Sequence, residues 1–246
     1  MEAIGGSHQQ LGHFRAIYIF TLVIGVLLLA LVGGWVGNHL GGLAWQSDPR
    51  LQFNWHPLLM TFGMIFIYGN SIMIYRGMRM TRKRTLKLFH ASLHFLAFIA
   101  TVVGLKAVFD SHNLATPPIP NLYSMHSWLG LAAVILFSGQ YVVGFVTFLA
   151  PGLRQPLREK VMSYHVIFGL LGFVLAAATS LLGFSEKIFF VLSSNYANLP
   201  AQGVLVNFIA LFVVLFTSLV IYLTTQSHFK RQPLAEDAIL LTGQNE

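Results

Sequence analysis

Four histidines stand near the starts of four consecutive hydrophobic stretches: His56, His90, His126 and His165. An ionisable side chain within an apolar span is costly, and where one occurs it ordinarily marks a functional site. A single histidine at a helix end is most often interfacial. Four in successive spans, alternating between the two ends of a bundle, pair by depth. His56 and His126 begin spans that enter from one side, and His90 and His165 begin spans that enter from the other. Only two same-depth pairs exist, so the second and fourth spans would share one site and the third and fifth another.

Neutral imidazole suits iron, and two imidazoles fill both axial positions of a heme. Such a site has no open coordination position, which favours electron transfer over oxygen binding. Two b hemes, one near each membrane face, are the cargo this pattern points to. With a hydrocarbon core of about 30 Å and each ligand one to two turns deep, the irons would lie about 15–20 Å apart. Gly63, Gly104, Gly130 and Gly169 are candidates for letting a flat macrocycle approach the helices. His94 follows His90 by four residues and shares its helix face. It is an alternative ligand, or a donor to a propionate or substrate, although depth favours His90 as the partner of His165. His8, His13, His39 and His228 lie in tails or at span ends.

The elements that must position these side chains are transmembrane helices. The chain has 246 residues, is 55% hydrophobic and only 9% charged, and has a mean hydropathy of +0.68. A soluble domain would carry about a quarter charged residues. Six spans fit the roughly 20 residues needed to cross the hydrocarbon, near 14–37, 53–75, 88–109, 124–150, 161–183 and 203–225. The expected fold is all-α: six transmembrane helices, with a central four-helix bundle holding the two hemes. The first span is too long for a signal-peptide core and lacks a clear cleavage site, so it reads as retained. Residues 1–246 read as one domain, with a polar tail over 232–246 expected to be disordered. There is no cysteine, which excludes disulfides, thiolate clusters and catalytic thiols.

The net charge is +7, and its distribution excludes nucleic acid as the partner. Of the 15 lysines and arginines, all but Arg50, Lys106 and Lys187 fall at the termini or in the loops after the second and fourth spans. The positive-inside rule makes that side cytoplasmic, with both termini on it. Heme propionates are anions, so cations beside the inner site could hold them. Lys83 and Lys87 precede His90 by seven and three residues, and Arg158 precedes His165 by seven. Arg76 closes the second span at the same level. The tail Glu236-Asp237-Ala238-Ile239-Leu240-Leu241 fits an acidic dileucine sorting signal. It points to a vesicular, endosomal or lysosomal membrane, with the plasma membrane as the alternative.

Longer motifs carry a resemblance. They are Gly41-Gly42-Leu43-Ala44-Trp45, Phe53-Asn54-Trp55-His56-Pro57, Ser71-Ile72-Met73-Ile74-Tyr75-Arg76-Gly77-Met78-Arg79, Lys87-Leu88-Phe89-His90, Ala107-Val108-Phe109-Asp110, Leu122-Tyr123-Ser124-Met125-His126-Ser127-Trp128 and Gln202-Gly203-Val204-Leu205-Val206-Asn207. Over nearly its whole length the chain resembles the cytochrome b-561 family of transmembrane ascorbate-dependent oxidoreductases. It is most like the animal secretory-vesicle type, with ferric-reductase and lysosomal relatives.

The resemblance implies six helices, two b hemes on the four histidines, and a homodimer. It implies cytosolic ascorbate as donor and monodehydroascorbate or a ferric chelate as acceptor on the far side. It assigns Arg76, Lys83, Lys87 and Arg158 to ascorbate or heme propionate, and Phe109, His112, Asn113 and Tyr123 to the outer substrate. His94 matches a histidine that many members do not use for iron. Two departures stand out: a longer, proline-rich loop between His112 and Tyr123, and Lys106 in place of the usual apolar residue. Lys106 either snorkels to the surface or adds positive potential for an anionic acceptor. Two other classes remain. One is a cytochrome b anchor subunit of a quinone-linked complex, told apart by its need for a soluble partner. The other is a histidine-lined proton or metal transporter, which would need no pigment.

Overall fold

The computed structural model describes residues 2–150 and 153–232, so the 233–246 stretch with its dileucine pattern lies outside the described residues. Among the described residues, six helices are long and apolar enough to cross a membrane. α1 is Glu2–His39, α2 covers the span Pro49–Gly77, α3 is Lys83–Asn113, α4 is Met125–Phe148, α5 is Gln155–Leu192 and α6 is Ala201–Thr225. Among the described residues there is no strand. The order and count match the hydropathy pattern. The main difference is length, because α3 and α5 begin several residues earlier, in polar sequence, and end several residues later. A bilayer sets the minimum length of a helix, and the polar ends lose nothing by extending it into water.

α2, α3, α4 and α5 close into the expected central bundle, with α4 packed most extensively on α5. α1 and α6 pack on each other and flank the bundle against α2 and α5. Large apolar side chains such as Ile135, Val142, Ile167 and Leu211 are exposed on outward faces, as lipid contact requires. Lipid is as apolar as leucine, so close packing rather than water exclusion holds the helices together, and small residues do much of it. Gly63 shows this. A Cβ there would meet the Ala97 carbonyl oxygen at 3.0 Å and the Ala100 Cβ at 3.1 Å, so α2 and α3 touch through backbone. Near mid-depth, buried Tyr68 donates to the Gly169 carbonyl at 2.8 Å and ties α2 to α5.

α2 is not uniform. A single turn, Pro49–Gln52, precedes Trp55–Met60, which runs through a π-helical stretch, Thr61–Ile67, into Tyr68–Gly77. The π-helical widening rotates the remainder of the helix, so residues on either side of it do not keep the 3.6-residue register that the sequence implies. The start of α2 is fixed from outside. Buried Asn54 donates to the Leu40 and Gly42 carbonyls, and the Trp55 indole donates to the Ala44 carbonyl. Gly41 and Gly42 make that possible because both adopt φ near +85°. The two early motifs are therefore one structural unit, with His56 at its end.

Candidate functional site

α4 begins with a capping box: Ser124 accepts from the Ser127 amide, and the Ser127 hydroxyl reaches back to the Ser124 amide. This fixes His126 in the first turn. Across from it, His56 sits in the first turn after Asn54, followed by Pro57, whose missing N–H costs nothing there. The two imidazole centroids are 6.0 Å apart, with ring planes at 87°. At the basic end, His90 of α3 and His165 of α5 lie 6.2 Å apart, at 74°.

These separations suit a shared metal. With a metal–imidazole bond of about 2 Å and a ring centre roughly 1.2 Å beyond the nitrogen, two imidazoles on opposite sides of one metal would have centroids about 6.4 Å apart. The second nitrogens agree. Nδ1 of His56 faces the Gly104 carbonyl at 3.2 Å, Nδ1 of His126 faces the Thr179 carbonyl at 2.9 Å, and Nδ1 of His90 faces the Ser71 carbonyl at 2.9 Å. A carbonyl only accepts, so each of these rings carries its proton on Nδ1 and leaves the Nε2 lone pair free to bind metal. The Ser71 hydroxyl adds a contact of 3.1 Å to His90 Nδ1. Nδ1 of His165 is buried without a hydrogen-bond partner among the described residues. The residues present fit two bis-imidazole hemes.

Two glycines absent from the sequence expectation cradle these rings. A Cβ on Gly183 would stand 2.6 Å from His126 Cε1, and one on Gly144 would stand 2.9 Å from His165 Cε1. Each glycine lies on the helix facing its histidine, a relation no sequence spacing reveals. Of the glycines proposed from sequence, Gly104 supplies a carbonyl to His56 and Gly130 lines the outer cavity. Gly63 serves helix contact instead, and a Cβ on Gly169 would meet nothing within 4 Å.

His94 is buried edge-on against His90, with centroids 4.5 Å apart, and against Tyr68 and Phe137. The ring that stands opposite His165 is that of His90. His94 Nδ1 has no hydrogen-bond partner among the described residues.

The cations at the basic end divide into two groups. The Lys87 ammonium lies close enough to Lys83 and Arg158 to feel both charges, and donates to the Phe148 carbonyl at 3.2 Å. Lys87 stands next to the histidine pair, since Phe148, whose carbonyl it holds, packs on the His165 ring at 5.4 Å. Arg76 instead donates to the Gln226 carbonyl, capping the end of α6. Arg79 joins the same clamp through the Phe229 carbonyl and the face of Phe14.

At the opposite end a cavity of about 840 Å³ surrounds His56 and His126. Phe109, His112 and Tyr123 line it, as does Asn121, which no sequence motif singles out. Asn121 bridges two expected residues: its amide oxygen is 3.1 Å from His112 Nδ1 and its amide nitrogen donates to Asn113 at 2.8 Å. Partial desolvation and then the Glu186 carboxylate push the Tyr123 phenol above its ordinary pKa, so it stays a neutral donor. Lys106 forms a 2.7 Å ion pair with Asp110, which also accepts from Gln52. Its charge is therefore neutralised within its own helix.

A family model described as eukaryotic cytochrome b561 matches residues 55–191, more than half of the chain. The transmembrane ascorbate-dependent reductase of Sus scrofa is 40% identical over 240 residues, covering 98% of this chain and 94% of that protein. Its counterpart in Homo sapiens is 41% identical over 221 residues, covering 90% and 86%. The plasma membrane ascorbate-dependent reductase of Xenopus tropicalis is 40% identical over 221 residues, covering 89% and 77%.

Proposed function

The chain belongs to the eukaryotic cytochrome b561 family, and from that premise we propose that it is an ascorbate-dependent transmembrane reductase. It carries electrons from cytosolic ascorbate to monodehydroascorbate or a ferric chelate on the other side. The observation that supports this best is the pair of imidazole couples, 6.0 and 6.2 Å apart, at opposite ends of one bundle. His56 and His126 would hold an outer heme b, and His90 and His165 an inner one. Bound heme supplies a one-electron Fe(III)/Fe(II) couple.

The chain's own residues supply the rest. Lys83, Lys87 and Arg158 attract the ascorbate monoanion to the basic face and favour the anion over the neutral acid. Arg76 holds the end of α6 beside that site, and its contribution to ascorbate binding is indirect. When ascorbate gives up one electron it also loses one proton, which passes to water at the exposed Lys83 and Arg158 rim. The packed Tyr68–Phe137–Phe173 layer excludes water from the bundle between the two sites. Phe109, His112 and Tyr123, with Asn121 held by Asn113 behind it, form the mouth where the acceptor binds. The basic face is cytoplasmic, which puts both termini there, and the chain works as one domain within a homodimer. The membrane is vesicular, endosomal or lysosomal, with the plasma membrane as the alternative. The relatives favour this reading over a quinone-complex anchor or a transporter.

The test is the visible spectrum of the purified full-length protein. A low-spin heme band that grows on adding ascorbate is expected. Pigment-free protein, or pigment that ascorbate leaves unchanged, overturns the proposal. Sealed vesicles loaded with ascorbate and offered ferric citrate or monodehydroascorbate outside would identify the acceptor.

A further inference from the structure

Lys187 breaks the charge pattern of this chain. It is one of only three basic residues on the cation-poor side, so topology does not account for it. It lies on α5 four residues after Gly183, hence on the same helix face, and Gly183 is the residue that abuts His126. Its ammonium stands 3.9 Å above the centre of the Phe53 ring, and the Phe53 ring lies against His56 at 6.1 Å. Lys187 therefore lines the outer cavity directly over the His56/His126 pair.

The other charges around that cavity are accounted for. Arg50 pairs with Asp48 at 3.5 Å, and Glu186 acts on Tyr123. His112 is engaged with Asn121. Lys187 has no acidic partner within ion-pair distance among the described residues, and an ammonium on an aromatic face still has its three N–H donors to satisfy. A half-buried cation so placed, with no acid of the chain against it, is set to receive an anion from outside the chain.

Resting on the proposed function, we propose that Lys187 is the anion seat of the outer cavity, binding a carboxylate or comparable anionic oxygen there. Two sources carry that chemistry: a propionate of the outer heme, or the free anionic acceptor. Phe53 orients the ammonium from below, and the cavity mouth admits the ligand from above.

The experiment uses full-length Lys187→Gln and Lys187→Arg, with ferricyanide as an anionic acceptor and hexaammineruthenium(III) as a cationic one. If the seat serves the acceptor, Lys187→Gln raises the KM for ferricyanide by about tenfold. The KM for hexaammineruthenium(III) then stays level or falls, and Lys187→Arg restores the original ratio. If the seat serves a propionate, Lys187→Gln either lowers the midpoint potential of the outer heme while the ratio of the two KM values holds, or loses that heme and with it the reduction of both acceptors. Lys187→Arg retains both. A Lys187→Gln protein with unchanged outer heme content, midpoint and KM ratio overturns the proposal. Failure of the broader function would be seen separately, as missing heme in the unsubstituted protein.

Discussion

The two ends of the bundle grip their histidine pairs alike and differ in everything around the grip. Ring separations agree within 0.2 Å, and at both ends a glycine on the facing helix makes room for an imidazole. Around the basic pair, Lys83, Lys87 and Arg158 present one sign of charge, and Lys87 reaches across to the last carbonyl of α4. Around the other pair lies an open cavity with mixed character: neutral amides, a phenol, Glu186 and Lys187. The histidine pairs are built symmetrically and their surroundings are not. A uniformly cationic mouth selects one small anion, whereas a mixed, roomy one tolerates acceptors of different charge.

Removing one pair is the harshest test of that comparison. His126→Ala should abolish reduction of outer acceptors and lower the heme band by about half, while ascorbate still reduces the remaining pigment. His90→Ala should instead remove the pigment that ascorbate reaches first. The glycine cradles come next. Gly183→Val should expel heme from the outer site and Gly144→Val from the inner one, each read as heme per protein. Gly169→Ala, with open space around it, should change neither.

Charge removal should have a smaller, one-sided effect. Lys87→Ala is expected to raise the KM for ascorbate by roughly tenfold, the effect of about 1.4 kcal/mol, with the KM for ferric citrate unchanged. An equal change for both substrates would erase the distinction drawn between the ends. The mildest is Tyr68→Phe. Losing its bond to Gly169 should cost about 1 kcal/mol of stability, seen as a lower thermal midpoint with both KM values intact.

The six spans were legible because bilayer thickness writes itself into composition: an apolar run of fixed length is the only sequence that can cross. The depth of the four histidines was legible for the same reason, since position along a span is depth. Side chains that act across helices were not. Gly144, Gly183 and Asn121 gain their importance only from what faces them. Arg76 matches a motif, yet its guanidinium turns to Gln226, 150 residues away in the chain. The π-helical stretch in α2 also left no sign, since Thr61–Ile67 reads as ordinary helix.

Sequence alone determined that this is a six-helix membrane protein, that its basic residues gather on one side, and that its histidines lie at two depths. These are properties of residue type and position along a helix, and the bilayer imposes them one span at a time. Only the tertiary structure decided which rings face each other, which carbonyls orient them and which glycines admit them. It alone decided that Lys187 overhangs the outer pair with no acidic partner among the described residues. Those relations depend on distances between helices, which close packing sets and no local pattern encodes.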